Sequence, residues 1–158
     1  MNHSGRVFWG KRQGHDSWQF PQGGLHVDET AENAMVRELH EEIGLDREDI
    51  NILGVTKRWL KYRLPKQYQR HGSSPLVIGQ KQKWFLLELV TSEQKIRLDL
   101  SDSPEFDSWR WVDYHAPANS VIFFKKQVYN QALKELLPFV KEKVPAKSHK
   151  KQRGKHGR

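Results

Sequence analysis

Residues 23–45 read GGLHVDETAENAMVRELHEEIGL, the most acidic stretch of an otherwise basic chain. Between Asp28 and Asp49 stand nine acids (Asp28, Glu29, Glu32, Glu38, Glu41, Glu42, Asp46, Glu48 and Asp49) against two arginines, Arg37 and Arg47. The pattern predicts a helix over residues 30–43, with Thr30 as N-cap, no Gly or Pro inside, and Gly44 as the stop. Advancing by the helical step, Glu41 and Glu42 fall at about −60° and about +40° from Glu38, so three carboxylates share one narrow face. Met35, Leu39 and Ile43 form the neighbouring apolar stripe that packs the helix down. Like charges at these spacings destabilise an isolated helix by ~0.2–0.5 kcal/mol per pair. The triplet therefore calls for a positive partner. Hard divalent cations such as Mg²⁺ take oxygen ligands and bridge carboxylates to phosphates. For a lone Glu-Glu pair the competing reading is a solvated acidic face.

The full spacing decides between the two. Gly23, Glu29, Arg37-Glu38-Leu39, Glu41-Glu42 and Gly44-Leu45 stand at intervals that resemble the Nudix box without a mismatch. Such a string of fixed positions is far more specific than a lone Gly-rich loop. The resemblance implies an α/β fold, a Nudix α/β/α sandwich with a mixed β-sheet, the box as loop–helix–loop, and a C-terminal helix. It also implies divalent metal at a diphosphate, and hydrolysis of a nucleoside diphosphate linked to another group.

Composition sets the outer limits. A chain of 158 residues is long enough to bury a sizeable core as one domain, and 36% hydrophobic content with six Trp argues against disorder. No run approaches the ~18 apolar residues of a membrane helix, so no membrane is expected as a partner. The first ten residues lack the charged and apolar regions of a signal peptide. The absence of Cys excludes disulfides, a thiol nucleophile and Cys-ligated zinc, which suits a cytoplasmic location. Residues 141–158 carry eight Lys or Arg and one Glu, a net of +7, leaving about +1 for the rest. The high pI is thus a tail effect. The expected division is a hydrolase domain over 1–142 and a basic, disordered tail over 143–158, which either adds nonspecific RNA affinity or simply solubilises.

Taken in order, Asn2-His3-Ser4-Gly5 reads as a tight turn, followed by a strand over Arg6–Arg12. In Nudix proteins a strand enters this hairpin, so the expectation is a shortened N-terminus, against the alternative of a free end that owes no strand. A missing strand would leave a neighbour without its ladder partner and part of the core uncovered. In Ser17–Gly24, Pro21 and the paired glycines mark a constrained loop. There the Gly23 carbonyl is a candidate metal ligand, while Trp18 and Phe20 read as core. Arg37 is expected to pair with Glu29 as a structural clamp, and His40 to be exposed and incidental.

Strands are expected over Ile50–Lys61 and Gln80–Val90, with a loop over Lys66–Gly79 between them. From Asn51 to Leu87 there is no acid, while Lys57, Arg58, Lys61, Arg63, Lys66, Arg70, Lys81 and Lys83 are basic. With Trp59, Tyr62, Tyr68 and Trp84 interleaved, this suits a phosphate chain plus a stacked base, against a plain basic surface over packed aromatics. Glu105, ahead of a Trp-alternating strand, is a further candidate ligand or base. Ala116-Pro117 breaks the chain before a helix over Val121–Val140.

The resemblance extends past the box. WQFPQGG, RWLKYRLP, IGQKQKWF, PEFDSWRWV and FFKK look like the bacterial RNA pyrophosphohydrolase branch of the Nudix family, covering nearly all of residues 6–126. That branch implies removal of pyrophosphate from a 5′-triphosphorylated RNA end, to leave a monophosphate. It places metal (Mg²⁺, or Mn²⁺ or Zn²⁺) on Glu38, Glu41, Glu42, Glu105 and the Gly23 carbonyl. Arg12, Tyr62 and Lys125 match positions near the 5′ phosphates, and Ile122 and Phe124 those flanking a base. Glu38 and Glu105 are the candidates for the base that takes the water's proton. The departure is at the N-terminus, where the family's first strand carries an arginine that this sequence does not replace. Two other readings stand beside this one: a diadenosine polyphosphate hydrolase, and a Nudix scaffold that holds nucleotide or RNA without cleaving it.

Overall fold

The strand that positions everything else is β1 (Val7–Arg12), buried from Val7 to Gly10. Successive strand residues point to opposite faces, and here both faces are covered. Val7 and Trp9 join Tyr129, Leu133 and Leu136 in one core cluster, while Phe8 joins Leu39, Ile43, Leu45 and Phe106 in the other. The first cluster is built on helix α3 (Lys126–Lys143) and the second on helix α1 (Ala31–Ile43). The layers are therefore helix, sheet, helix: the α/β sandwich that the family resemblance implies. The computed structural model describes residues 1–69 and 78–145. Arg70, the Gly72–Pro75 turn residues and the tail beyond Pro145 lie outside them.

Sheet pairing divides into three ribbons. β1 pairs antiparallel with β7 (Phe106–Val112) along its whole length and with β2 (Trp18–Gln19) at Gly10 and Lys11. β3 (Ile50–Val55) pairs with β6 (Phe85–Leu89), and β4 (Leu60–Arg63) with β5 (Gly79–Gln82), both antiparallel. The opening residues form the turn read from Asn2 to Gly5. The Asn2 side chain accepts from the Ser4 and Arg6 amides, and Gly5 takes φ +80°, which suits glycine. Met1 then bridges β6: its amino nitrogen donates to the Leu87 carbonyl at 2.8 Å and its carbonyl accepts from Leu89 at 2.9 Å. That pattern is parallel, so the sheet is mixed. Among the described residues no strand fills the gap between the β1 and β6 ribbons. A cavity of about 530 Å³ opens there, lined by Val7, Phe8, Leu39, Leu86, Leu89 and Tyr129 among others.

Helix α1 follows its caps. The Thr30 side chain accepts from the Asn33 amide at 3.1 Å, and Gly44 closes the helix in the left-handed region at φ +74°. Met35, Leu39 and Ile43 face the second cluster. His40, read as incidental, is exposed but has a partner: its Nδ1 lies 2.8 Å from Asp46 Oδ1, tying the helix end to the next turn of the chain.

Three expected boundaries are corrected. Ile50–Lys61 is two strands in different ribbons, because the buried Thr56 ends the first ladder by pairing with Trp84 through its amide (2.9 Å) and its Oγ1 (3.1 Å). The same contacts split Gln80–Val90 into β5 and β6. Ala116-Pro117 does not break the chain: it opens a short helix, α2 (Ala116–Ser120), where proline's missing N–H costs no bond. The long helix therefore starts at Lys126, after a 3₁₀ turn at Phe123–Lys125. Trp84, offered as a stacking group, belongs to the core, edge-on to Phe20 and Tyr129.

Candidate active site

The acidic face of α1 meets the loop that precedes it. Arg37 is the hub, donating to Glu29 through Nε (2.9 Å) and Nη2 (2.8 Å), to the Gly24 carbonyl at 2.7 Å, and to Glu38 at 2.7 Å. Glu41 lies 3.6 Å from the same guanidinium. These bonds hold the Glu29 carboxyl well below the usual range, at about 2, and push Arg37 up. A fork that ties loop to helix in this way fixes the turn that carries the candidate ligands. Arg37→Ala is therefore expected to lower turnover about 10–100-fold and to make the 23–29 loop more sensitive to protease, which limited digestion followed by mass spectrometry would detect. Wild-type kinetics in that variant would remove Arg37 from the site.

Glu42 stands apart from its neighbours. Its side chain is buried and accepts from the Gln22 amide at 3.1 Å. Burial, then the charges of Glu38, Glu105 and Glu41, push its carboxyl up to about 9, against the opposing Gln22 bond. Gly23 packs directly on the Glu38 side chain, leaving no room for a Cβ. Glu105, immediately before β7, accepts from Gln19 Nε2 at 3.1 Å and lies 3.9 Å from Arg12 Nε. Lys125 is buried beside them, 3.4 Å from Gln19 Oε1 and 5.6 Å from the Tyr62 ring. Burial, then the Arg12 charge, lower its ammonium pKa, with Glu105 opposing. Tyr62 and Phe124 approach to 5.9 Å between ring centres, while Ile122 packs on the α3 core.

The fold thus gathers carboxylates on one wall, and Arg12, Lys125, Tyr62 and Phe124 on the next. Among the described residues, no three His, Cys, Asp or Glu side chains converge closely enough to grip one ion together. Glu38 is instead bonded to Arg37 at 2.7 Å, with Glu41 3.6 Å from the same guanidinium. The donor set nevertheless suits a hard cation. Every candidate donor is oxygen, and Glu42 is a buried carboxylate crowded by three others, a charge cost that a divalent ion removes.

Two residues escaped the sequence reading. Gln19 is a buried amide that links Glu105 to Lys125. Gln22 holds Glu42 through its backbone and takes a bond from Gln82 on its side chain at 3.3 Å. Their one signal was placement: polar residues inside the apolar, proline-bearing segment WQFPQ.

Comparison with known proteins identifies the family. Residues 1–132 match the NUDIX domain. A Legionella pneumophila (strain Corby) RNA pyrophosphohydrolase is 75% identical over 142 residues, which cover 90% of this chain and 81% of that one. The Pseudomonas fluorescens (strain SBW25) RNA pyrophosphohydrolase is 57% identical over 137 residues, covering 87% of this chain and 86% of its own. Among solved structures, the E. coli dihydroneopterin triphosphate pyrophosphohydrolase superposes with a TM-score of 0.64 at 26% identity, covering 83% of this chain and 87% of that one. A C. elegans Ap4A hydrolase complex superposes at 0.59 with 16% identity, covering 87% of each, a likeness of fold alone. With the box, the layered fold and these relatives in agreement, the chain belongs to the NUDIX domain family.

Proposed function

We propose that this chain is an RNA 5′-pyrophosphohydrolase of the cytoplasm, releasing pyrophosphate from 5′-triphosphorylated RNA to leave a monophosphate end. The observation that carries the reading is the 75% identity, over 90% of the chain, to an RNA pyrophosphohydrolase. The acid-free segment from Asn51 to Leu87 supports it, since it lets a polyanion approach without like-charge repulsion. Glu38, Glu41, Glu42, Glu105 and the Gly23 carbonyl would hold a divalent cation, Mg²⁺ first, with Mn²⁺ or Zn²⁺ as substitutes. When bound, such an ion supplies positive charge against the phosphate oxygens and acidifies the attacking water.

The chain's own groups do the rest. Arg12 and Lys125 bind the phosphates, and burial of Lys125 strengthens that attraction by excluding solvent. Tyr62 and Phe124, with Ile122, orient the base and so fix the anhydride in line for attack. Water oxygen bonds to phosphorus, its proton passes to a carboxylate (Glu38 or Glu105), and the bond between the α and β phosphates breaks with pyrophosphate leaving.

Incubating 5′-triphosphate RNA with the protein and Mg²⁺ tests this directly. Pyrophosphate and a 5′-monophosphate end should appear in equal amounts, and diadenosine tetraphosphate supplied in competition should be turned over more slowly. No pyrophosphate, or preference for the dinucleotide, would overturn the assignment. Tyr62→Ala and Phe124→Ala are expected to raise KM for RNA about tenfold, with a smaller effect on inorganic triphosphate. Equal losses on both substrates would refute base stacking at this pair.

A further inference from the structure

We propose that Tyr68 and Phe123 form a second stacking shelf, which holds a base of the RNA beyond the one at Tyr62 and Phe124. This rests on the reading of an RNA 5′ end as substrate. Strand β4, which carries Tyr62, and two 3₁₀ turns, Lys66–Tyr68 and Phe123–Lys125, bring the four rings into one continuous group. Tyr62 lies 5.9 Å from Phe124, Phe124 lies 5.0 Å from Tyr68, and Tyr68 lies 6.2 Å from Phe123, all between ring centres. The inner two rings are half-buried. The outer two are not: Tyr68 is 44% and Phe123 58% exposed, and Ile78 beside them is 48% exposed. Single exposed apolar side chains need no explanation, but a contiguous group marks a surface that binds something.

Ring orientation separates the two shelves. Phe123 and Phe124 are adjacent in sequence, yet their planes cross at 86°. A base lying flat on Phe124 cannot also lie flat on Phe123, so the outer ring serves a different base. The chemistry of the surroundings selects the occupant. Lys61, Arg63 and Lys81 line the same cavity of about 750 Å³ as Phe123 and Phe124, and among the described residues every charged one lining it is a cation. Aromatic faces interleaved with cations, free of acids, match single-stranded nucleic acid, whose bases stack while its phosphates are neutralised. An acidic or apolar peptide would use the cations or the rings, but a strand of RNA uses both at their alternating positions.

The test is a length series of 5′-triphosphorylated substrates, from one to four nucleotides, with the full chain. In the wild type, KM should fall as the strand lengthens past the inner base. Tyr68→Ala and Phe123→Ala should raise KM about tenfold more for the longer substrates than for the mononucleotide. Tyr68→Phe and Phe123→Tyr should behave as wild type, since they keep the ring. A fluorescent tetranucleotide with a 5′-hydroxyl end, followed by anisotropy in chelator, should bind more weakly to the Ala variants. Equal losses at every length, no loss at any length, or unchanged tetranucleotide binding would overturn the shelf. If the wild type cleaves no triphosphate RNA, the proposed function fails, whereas the tetranucleotide measurement still decides the shelf by itself.

Discussion

Replacing Glu42 by glutamine is expected to lower turnover about a thousandfold, the scale on which loss of one charge-stabilising group in a site falls, while making the metal-free protein more stable. The two effects share a cause. Glu42 is the buried member of the acidic face, and Glu38, Glu105 and Glu41 all oppose its ionisation. Its carboxyl moves from an ordinary value near 4.5 in the unfolded chain to about 9 in the fold. A group whose folded pKa is raised stabilises fully below its unfolded pKa, and that contribution is lost as pH rises through the folded one. The metal-free wild type should therefore lose stability from Glu42 between about pH 4.5 and 9, and the Gln variant should not. Thermal melts in chelator, run as a pH series on both proteins, would show the gap in Tm widening toward about pH 9. Other carboxylates pulled down by partners, such as Glu29 and Asp49, act at the acid end and cancel in the difference. A variant that keeps wild-type rates with Mg²⁺ would remove Glu42 from the ligand set.

Gly23→Ala should cost about a hundredfold in turnover with little change in fold, the loss expected of a catalytic group displaced by an ångström. The backbone at Gly23 does not take positive φ, so alanine meets no conformational strain there. The obstacle is the Glu38 side chain, since an added Cβ would overlap that carboxylate. Glu38 would have to swing away, toward Arg37, which already holds it at 2.7 Å. Gly24→Ala is the matched control, because a Cβ there has open space around it. The measurement is kcat for both variants, with Tm to confirm folding. Equal activity in the two would show that the position of Glu38 does not matter.

Legibility in the residues divides by range of interaction. Helix α1 was readable from end to end because Thr30, Gly44 and the Met35–Leu39–Ile43 stripe are local signals. The carboxylate cluster was readable because helical spacing alone puts it on one face. The break between β3 and β4 was not, since it depends on Thr56 meeting Trp84 across 28 positions. Pro117 misled for a similar reason: a proline closes one helix or opens another according to the residues after it, and here they build a short helix. In the site, the pairing of Arg37 with Glu38 was hidden because adjacent helical residues do not face each other. A guanidinium spread across the loop still reaches both. Gln19 carried no sign of its partners, which come from the residue before β7 and from the turn before α3.

The bridge from Met1 to β6 makes the first residue a seam rather than a loose end. A tag or label joined to the Met1 nitrogen would remove the charge of the group that donates to Leu87 and would start beside β6. Kinetic parameters and melting points measured on forms that differ only at this end are therefore not interchangeable.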